Sequence, residues 1–311
     1  PQVQVASQPR QGGRWRYEDL SQAFQDRLLA VEEQDEQLSG AETRVLEQVR
    51  ARLEAGLDPE SLPVLPATLN QLLRELNQEA AFARIREVIR QDPALAGEVV
   101  QLANSAWFKR NQQAVTSIEQ AMALMGEEGL RTLTMTLLSQ PVLRLLPLHY
   151  KLLGRVLWDH SLACAQACQR QAAVEWQTEA TAYFVGLVSN VGKILIFRLA
   201  SEALTGDGSG IRPRPAVFRQ LIDAHGYPLA ARTARAWGVP PEMILALEEQ
   251  GDPHRNPADL SPLGRVLRRG QALAAAELLL AEGDHTLEEV EAQLAGQGLS
   301  LDDLRPAPTR H

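Results

Sequence analysis

Apolar residues return every three or four positions along almost the whole chain, and no convincing run alternates polar with apolar between turn signals. A stripe of that period buries one face of a helix and cannot serve a pleated strand, so the expected class is all-α. Tyr17, Leu20, Phe24 and Leu28 mark a first helical face, and Val45, Val49 and Leu53 a second. Leu69, Leu72, Leu73 and Leu76 repeat the spacing, followed by Phe82, Ile85, Val88 and Ile89. Leu130, Leu133 and Leu137 mark another helix, and Leu153, Val156, Leu157, His160, Cys164 and Cys168 share one face of a longer one. Phe184, Leu187, Val188 and Val191 belong to a segment so apolar that it should be central. Val217 with Leu221, and Met243 with Ile244 and Leu247, carry short helices beyond it.

Start and stop signals agree with that period. Asp92-Pro93 and Ser261-Pro262 place an N-cap residue before a proline at the first helical position. Thr116-x-x-Glu119 and Thr286-x-x-Glu289 have the form of capping boxes, and Gly126 stands where a C-terminal cap belongs. Breaks at 56–63, 141–148, 201–215 and 251–257 divide the chain. The expected organisation is a helical extension (1–58), a first helical half (59–147), a second helical half (148–254) and a helical appendage (255–311). Trp107 and Phe108 read as packing residues.

Composition narrows the function classes. In 311 residues, 45% are hydrophobic, which supplies a core and excludes global disorder. The net charge of −8, from 31 Lys+Arg against 39 Asp+Glu, has the wrong sign for a surface that grips a phosphate backbone, so nucleic acid is not expected as a partner. Cys164 and Cys168, four apart on one helix, form no disulfide framework and fit a reducing compartment. No run of 18 apolar residues is present, and the first residues lack an apolar signal core; the expectation is a cytoplasmic protein with no membrane association. Among residues 271–304 there are eight Asp or Glu and no Lys or Arg, which reads as a solvated acidic face.

Few residues suggest chemistry. Gly186 to Lys193 imitates a phosphate loop, but five residues separate the two glycines where four are required, and Ile194 replaces the magnesium-binding hydroxyl. The glycine-rich stretch 206–210 follows no strand and reads as a loop. His160, Cys164 and Cys168 lie at i, i+4 and i+8; the outer two are about 12 Å apart along the axis, too far to share one zinc. The cysteines therefore read as small core residues. His149, His225, His254, His285 and His311 are scattered, and no Gly-x-Ser-x-Gly elbow is present.

One stretch carries a resemblance. The Leu-Pro-x-Leu-Pro start at 62–66, Asp92-Pro93-Ala94-Leu95, Leu102-Ala103-Asn104-Ser105 and Thr116-Ser117-Ile118-Glu119-Gln120-Ala121 come in the order seen in the HDOD family of bacterial signalling domains. These domains are related to HD-type metal-dependent phosphohydrolases. The resemblance continues through 158–168 and 186–195 to about residue 250. It implies an HD-like helical domain preceded by a second helical subdomain.

The resemblance also implies where a metal site would have stood. HD phosphohydrolases use a His on one helix, an adjacent His-Asp pair on a second, and a later Asp to hold metal ions that activate water. His160 matches the first, but the pair is replaced by Ser189-Asn190, with Lys193 following in the motif. A hydroxyl and an amide do not replace an imidazole and a carboxylate toward a divalent ion. The expectation is a metal-free pocket of His160, Ser189, Asn190 and Lys193, with no catalytic residue and no cofactor. The implied role is a non-enzymatic signalling module acting through a protein partner, with a nucleotide second messenger as a further ligand class. The alternative is a divergent metal-dependent phosphohydrolase acting on a nucleotide or cyclic dinucleotide through His160, His225 and nearby carboxylates.

Overall fold

The structure, a computed structural model, describes residues 38–57, 61–74, 93–105, 114–143, 151–206, 215–281 and 285–304, with single positions at 20, 23–25, 28, 29, 85, 87, 89, 108 and 283. Tyr17, Leu76, Phe82, Val88, Asp92, Trp107, His149, His311 and residues 207–210, singled out above, lie outside them. In chain order the helices are α1 (Gly40–Ala55), α2 (Ala67–Arg74), α3 (Pro93–Ala103), α4 (Ile118–Leu143), α5 (Lys151–Gln171), α6 (Glu179–Val188), α7 (Val191–Gly206), α8 (Pro215–Ala236), α9 (Pro241–Glu249), α10 (Pro262–Ala281) and α11 (Leu287–Ala295). No strand occurs among the described residues, and the all-α class holds.

Local signals set most helix starts. Thr286 and Glu289 form the expected reciprocal box at α11, with bonds of 2.8 and 3.2 Å. α10 begins at Pro262, and Ser261 Oγ accepts from Gly264 N at 3.0 Å. At α4 the box sits one residue later than expected. Ile118 is the first helical residue, so Ser117 becomes the cap: its Oγ accepts from Gln120 N at 3.2 Å, while Gln120 Oε1 receives Thr116 N at 2.7 Å. Gly126, with φ 69° and ψ −174°, breaks α4 into two helices at a corner that a side chain would strain.

α6 is the central element, buried from Ala180 to Val188 and packed against α5, α10, α4 and α9. α10 also lies along α5, so the helix expected in the appendage buries most of its length in the core. α7 pairs with α8, and α1 covers both. Glu179–Ala203, which runs through α6 and into α7, is long and apolar enough to cross a membrane, yet its apolar window is wholly buried inside the fold, as core helices must be. The first half joins the second through α4, where Thr136 Oγ1 and Tyr183 OH share a buried hydrogen bond of 2.6 Å.

The motifs that carried the resemblance are joints of this architecture. Asn104 closes the loop after α3 by accepting from Val115 N at 2.8 Å and donating to Val115 O at 2.7 Å. Leu62 and Leu65 are buried, and Pro63 O accepts from Trp237 Nε1 at 2.6 Å. Arg198 binds Ser61 O, and Arg232 binds Leu57 O at 2.8 Å, so donors from α7 and α8 hold the segment that enters α2. Backbone joints of this kind specify the fold rather than chemistry.

Candidate functional site

His160 projects from α5, Ser189 and Asn190 form the turn between α6 and α7, and Lys193 stands in the first turn of α7. Two glycines bring these elements together. A Cβ at Gly186 would lie 2.8 Å from Cys164 O and Ala165 Cα of α5, and one at Gly192 would run into Gly226 O of α8. The glycines that imitate a phosphate loop are thus the contact points of crossing helices. Any side chain there would push α6 off α5 or α7 off α8.

The pocket is buried: His160 is 4% exposed, Asn190 1% and Lys193 6%. Asn190 Nδ2 lies 2.9 Å from His160 Nδ1 and 3.1 Å from Ser161 Oγ. The Ser161 hydroxyl donates to Leu157 O at 2.9 Å, so it can only accept from Asn190. That commitment turns the NH₂ edge of Asn190 toward both partners. His160 Nδ1 must then be the acceptor, and the ring proton sits on Nε2. Burial, reinforced by the Lys193 charge, holds the His160 pKa well below the ordinary value, which keeps the ring neutral.

Ser189 takes no part in that contact. Its hydroxyl donates to Gly186 O at 2.8 Å and lies 3.9 Å from Cys164 Sγ. Cys164 and Cys168 are fully buried with sulfurs 4.0 Å apart, in the core setting expected of them. The Lys193 ammonium sits 6.0 Å from the Phe24 ring centroid and 5.9 Å from that of Tyr227. No hydrogen bond or ion pair of that ammonium occurs among the described residues. Burial lowers its pKa to about 8, against the opposing pull of Cys164 and Asp223. Phe24 also stacks on His160 with centroids 4.1 Å apart and an interplanar angle of 25°.

These donors do not fit a divalent cation. The Nδ1 lone pair of His160 is engaged by an amide proton, Asn190 presents its donor edge, the Ser189 hydroxyl is committed to the backbone, and the neighbouring charge is positive. Nor do His225, His254 and His285 help. His225 lies on α8 in the field of Arg50 and Glu54 of α1, His254 is in the exposed loop after α9, and His285 immediately precedes the α11 cap. Among the described residues, no three His, Cys, Asp or Glu side chains converge to hold a metal.

Sequence reasoning therefore found His160, Asn190 and Lys193 but missed Phe24, Tyr227 and Ser161. Phe24 carried only the signal of a core position in its helix, and nothing local says which buried side chain it meets. Ser161 was findable in principle, being next to His160 and one helical turn after Leu157, whose carbonyl a buried serine can bind.

Comparison with known proteins matches this geometry to a family. A model of the HDOD domain matches residues 62–253. The chain is 24% identical over 247 residues to an uncharacterised protein of Treponema pallidum (strain Nichols), an alignment covering 76% of this chain and 45% of that protein. It thus spans under half the length of that curated relative. Its fold is similar to a crystal structure from Shewanella amazonensis SB2B, described provisionally as a metal-dependent phosphohydrolase, with 20% identity and a TM-score of 0.59 over 86% of this chain and 94% of that one. An HDOD domain protein of unknown function from Geobacter sulfurreducens gives 20% identity and a TM-score of 0.56 over 84% and 92%. With caps, helix order and the His160–Asn190 turn in place, and with the family match covering most of the chain, this protein belongs to the HDOD family.

Proposed function

We propose that the chain is a non-enzymatic, cytoplasmic signal-transduction module of bacteria that works by protein contact and uses no metal cofactor. The observation that carries this reading is the pairing of the neutral Asn190 amide with His160 Nδ1, which puts an amide where an HD hydrolase has the carboxylate of its metal site. Without a metal there is no Lewis acid for a phosphoester and no activated water. No buried carboxylate among the described residues stands beside His160 to act as a general base in its place. HDOD membership supports the signalling class.

The competing reading, a metal-dependent phosphohydrolase acting on a nucleotide or cyclic dinucleotide, draws on the description of the Shewanella neighbour, at an identity that speaks for the fold alone. Turnover of bis(p-nitrophenyl) phosphate with Mn²⁺, Fe²⁺, Mg²⁺ or Zn²⁺ separates the two. The proposed function predicts no turnover above a His160→Gln control. Metal-dependent turnover lost in that control contradicts it.

A further inference from the structure

We propose that Lys193 is the anchor of a binding site for an oxyanion, and that Phe24 is the chain's own stand-in, occupying the face of His160 that a ring-bearing ligand of this class would cover. The inference rests on the pocket described above but needs no metal and no chemistry.

The first observation is a mismatch of partners. Asn190 is engaged with His160 and Ser161, Ser161 with Leu157 O, and Ser189 with Gly186 O. The Lys193 ammonium has no hydrogen bond or ion pair among the described residues, although the residue is only 6% exposed. A desolvated ammonium with two aromatic faces about 6 Å away recovers little of its lost hydration. An oxyanion supplies what is missing, a negative charge and several acceptors for the three N–H donors.

The second observation is the covering ring. Phe24 comes from the chain far before α5, yet it lies flat on His160 and near Lys193. It covers the imidazole face and gives the ammonium no hydrogen bond or ion pair of its own. A ligand carrying a flat ring and an oxyanion satisfies both at once, so it competes with Phe24 on favourable terms. Asp223 acts on Lys193 through space, favouring its charged form.

Phosphate and carboxylate ligands share this chemistry, so the test includes both. Thermal unfolding of the full chain in EDTA is followed against inorganic phosphate, acetate and phenyl phosphate. Phenyl phosphate is expected to raise Tm more than phosphate at equal concentration in the parent, and in Phe24→Ala phosphate is expected to bind about tenfold more tightly, with the ring gone. Acetate in place of phosphate as the stronger ligand identifies the oxyanion as a carboxylate and still supports the site. Lys193→Met is expected to lose about tenfold or more in affinity for each, and Lys193→Arg to recover part of it. Equal binding by the parent and Lys193→Met, or none by either, overturns the proposal. If Phe24→Ala does not fold, the parent and Lys193→Met with phenyl phosphate decide. Binding is read in EDTA and turnover in added metal, so failure of this site and failure of the non-enzymatic reading are told apart.

Discussion

Two buried polar clusters in this molecule handle charge in opposite ways. Between α9 and α10, Glu249 accepts from Ser261 N at 2.9 Å and Ser261 Oγ at 2.7 Å, which caps α10 with a carboxylate. Beside it Arg268 donates to Gln250 Oε1 at 3.2 Å and to the carbonyls of Arg255, Asp252 and Glu249 at 2.7, 3.0 and 3.4 Å. Both charges are buried and both are partnered. Around His160, the amide and hydroxyls of Asn190, Ser161 and Ser189 are partnered, and the Lys193 ammonium has no hydrogen bond or ion pair among the described residues. The same fold thus pairs a buried charge in one place and, among the described residues, leaves one without a partner in another.

Three substitutions break or sharpen that contrast, and a fourth probes the fold outside it. The largest effect belongs to Arg268→Met, which strands Gln250 Oε1 and the carbonyls ending α9; a loss of about 3 kcal/mol is expected from the urea midpoint. A loss under ~1 kcal/mol would mean that water replaces the guanidinium and that the cluster is less closed than its distances say.

Lys193→Met goes the other way. Removing an unpaired buried ammonium at similar volume is expected to stabilise by ~1–3 kcal/mol at pH 7. The folded-state pKa of about 8 lies below the ordinary 10.5, so between those values the unfolded chain binds more protons and unfolding free energy rises with pH. The burial penalty stands in full below about 8 and is relieved toward 10.5. Cys168 and Tyr183, both raised by burial, work in the opposite sense above their ordinary 9.0 and 10.0, so the test is the difference between parent and variant. The variant should lack the parent's rise; identical slopes contradict an unpaired lysine.

Asn190→Asp sharpens the neutral side of the comparison, at ~1–2 kcal/mol of lost stability. A carboxylate facing Nδ1 favours a proton there, so the His160 pKa should move up from its depressed position, read from the ring C–H shifts by NMR. A ring whose titration does not move shows that Asn190 does not set the tautomer.

The smallest effect lies outside both clusters. Trp176 is 94% exposed and left-handed (φ 54°) at the end of the 3-10 turn Ala172–Glu175, which Arg265 and Arg269 hold through Glu175 at 2.6 and 3.2 Å. Trp176→Gly removes the strain and little burial, so stability should be unchanged or up to ~1 kcal/mol higher.

How much of this was legible in the sequence differs between elements. Helix faces were, because each period reports a local surface: Val45 and Val49 on α1, Phe184 and Leu187 on α6 and Leu221 on α8 are all buried. Caps at 261–262 and 286–289 were legible for the same reason. The α4 cap slipped by one residue because Thr116 and Ser117 both offer a hydroxyl and Glu119 and Gln120 both offer an acceptor, and only the helix start decides between them. In the pocket, the replacement of the His-Asp pair by Ser189-Asn190 could be read directly. Its tautomer, the Phe24 stack and the solitary charge of Lys193 could not, since each depends on which distant side chain closes the space. The divergence of Ser189 from His160 was equally hidden: spacing places it beside Asn190 but says nothing of its bond to Gly186 O.

The central claim is that the pocket of His160, Asn190 and Lys193, with a neutral amide on Nδ1 and a cation beside the ring, holds no divalent metal. The most direct measurement is metal content of the full chain purified without chelator, with Mn²⁺, Fe²⁺ and Zn²⁺ added back, beside a Ser189→His/Asn190→Asp variant that restores the donors. The account predicts that the parent retains no stoichiometric metal and that any gain appears only in the variant. One metal ion per chain in the parent, lost in His160→Gln, would contradict it.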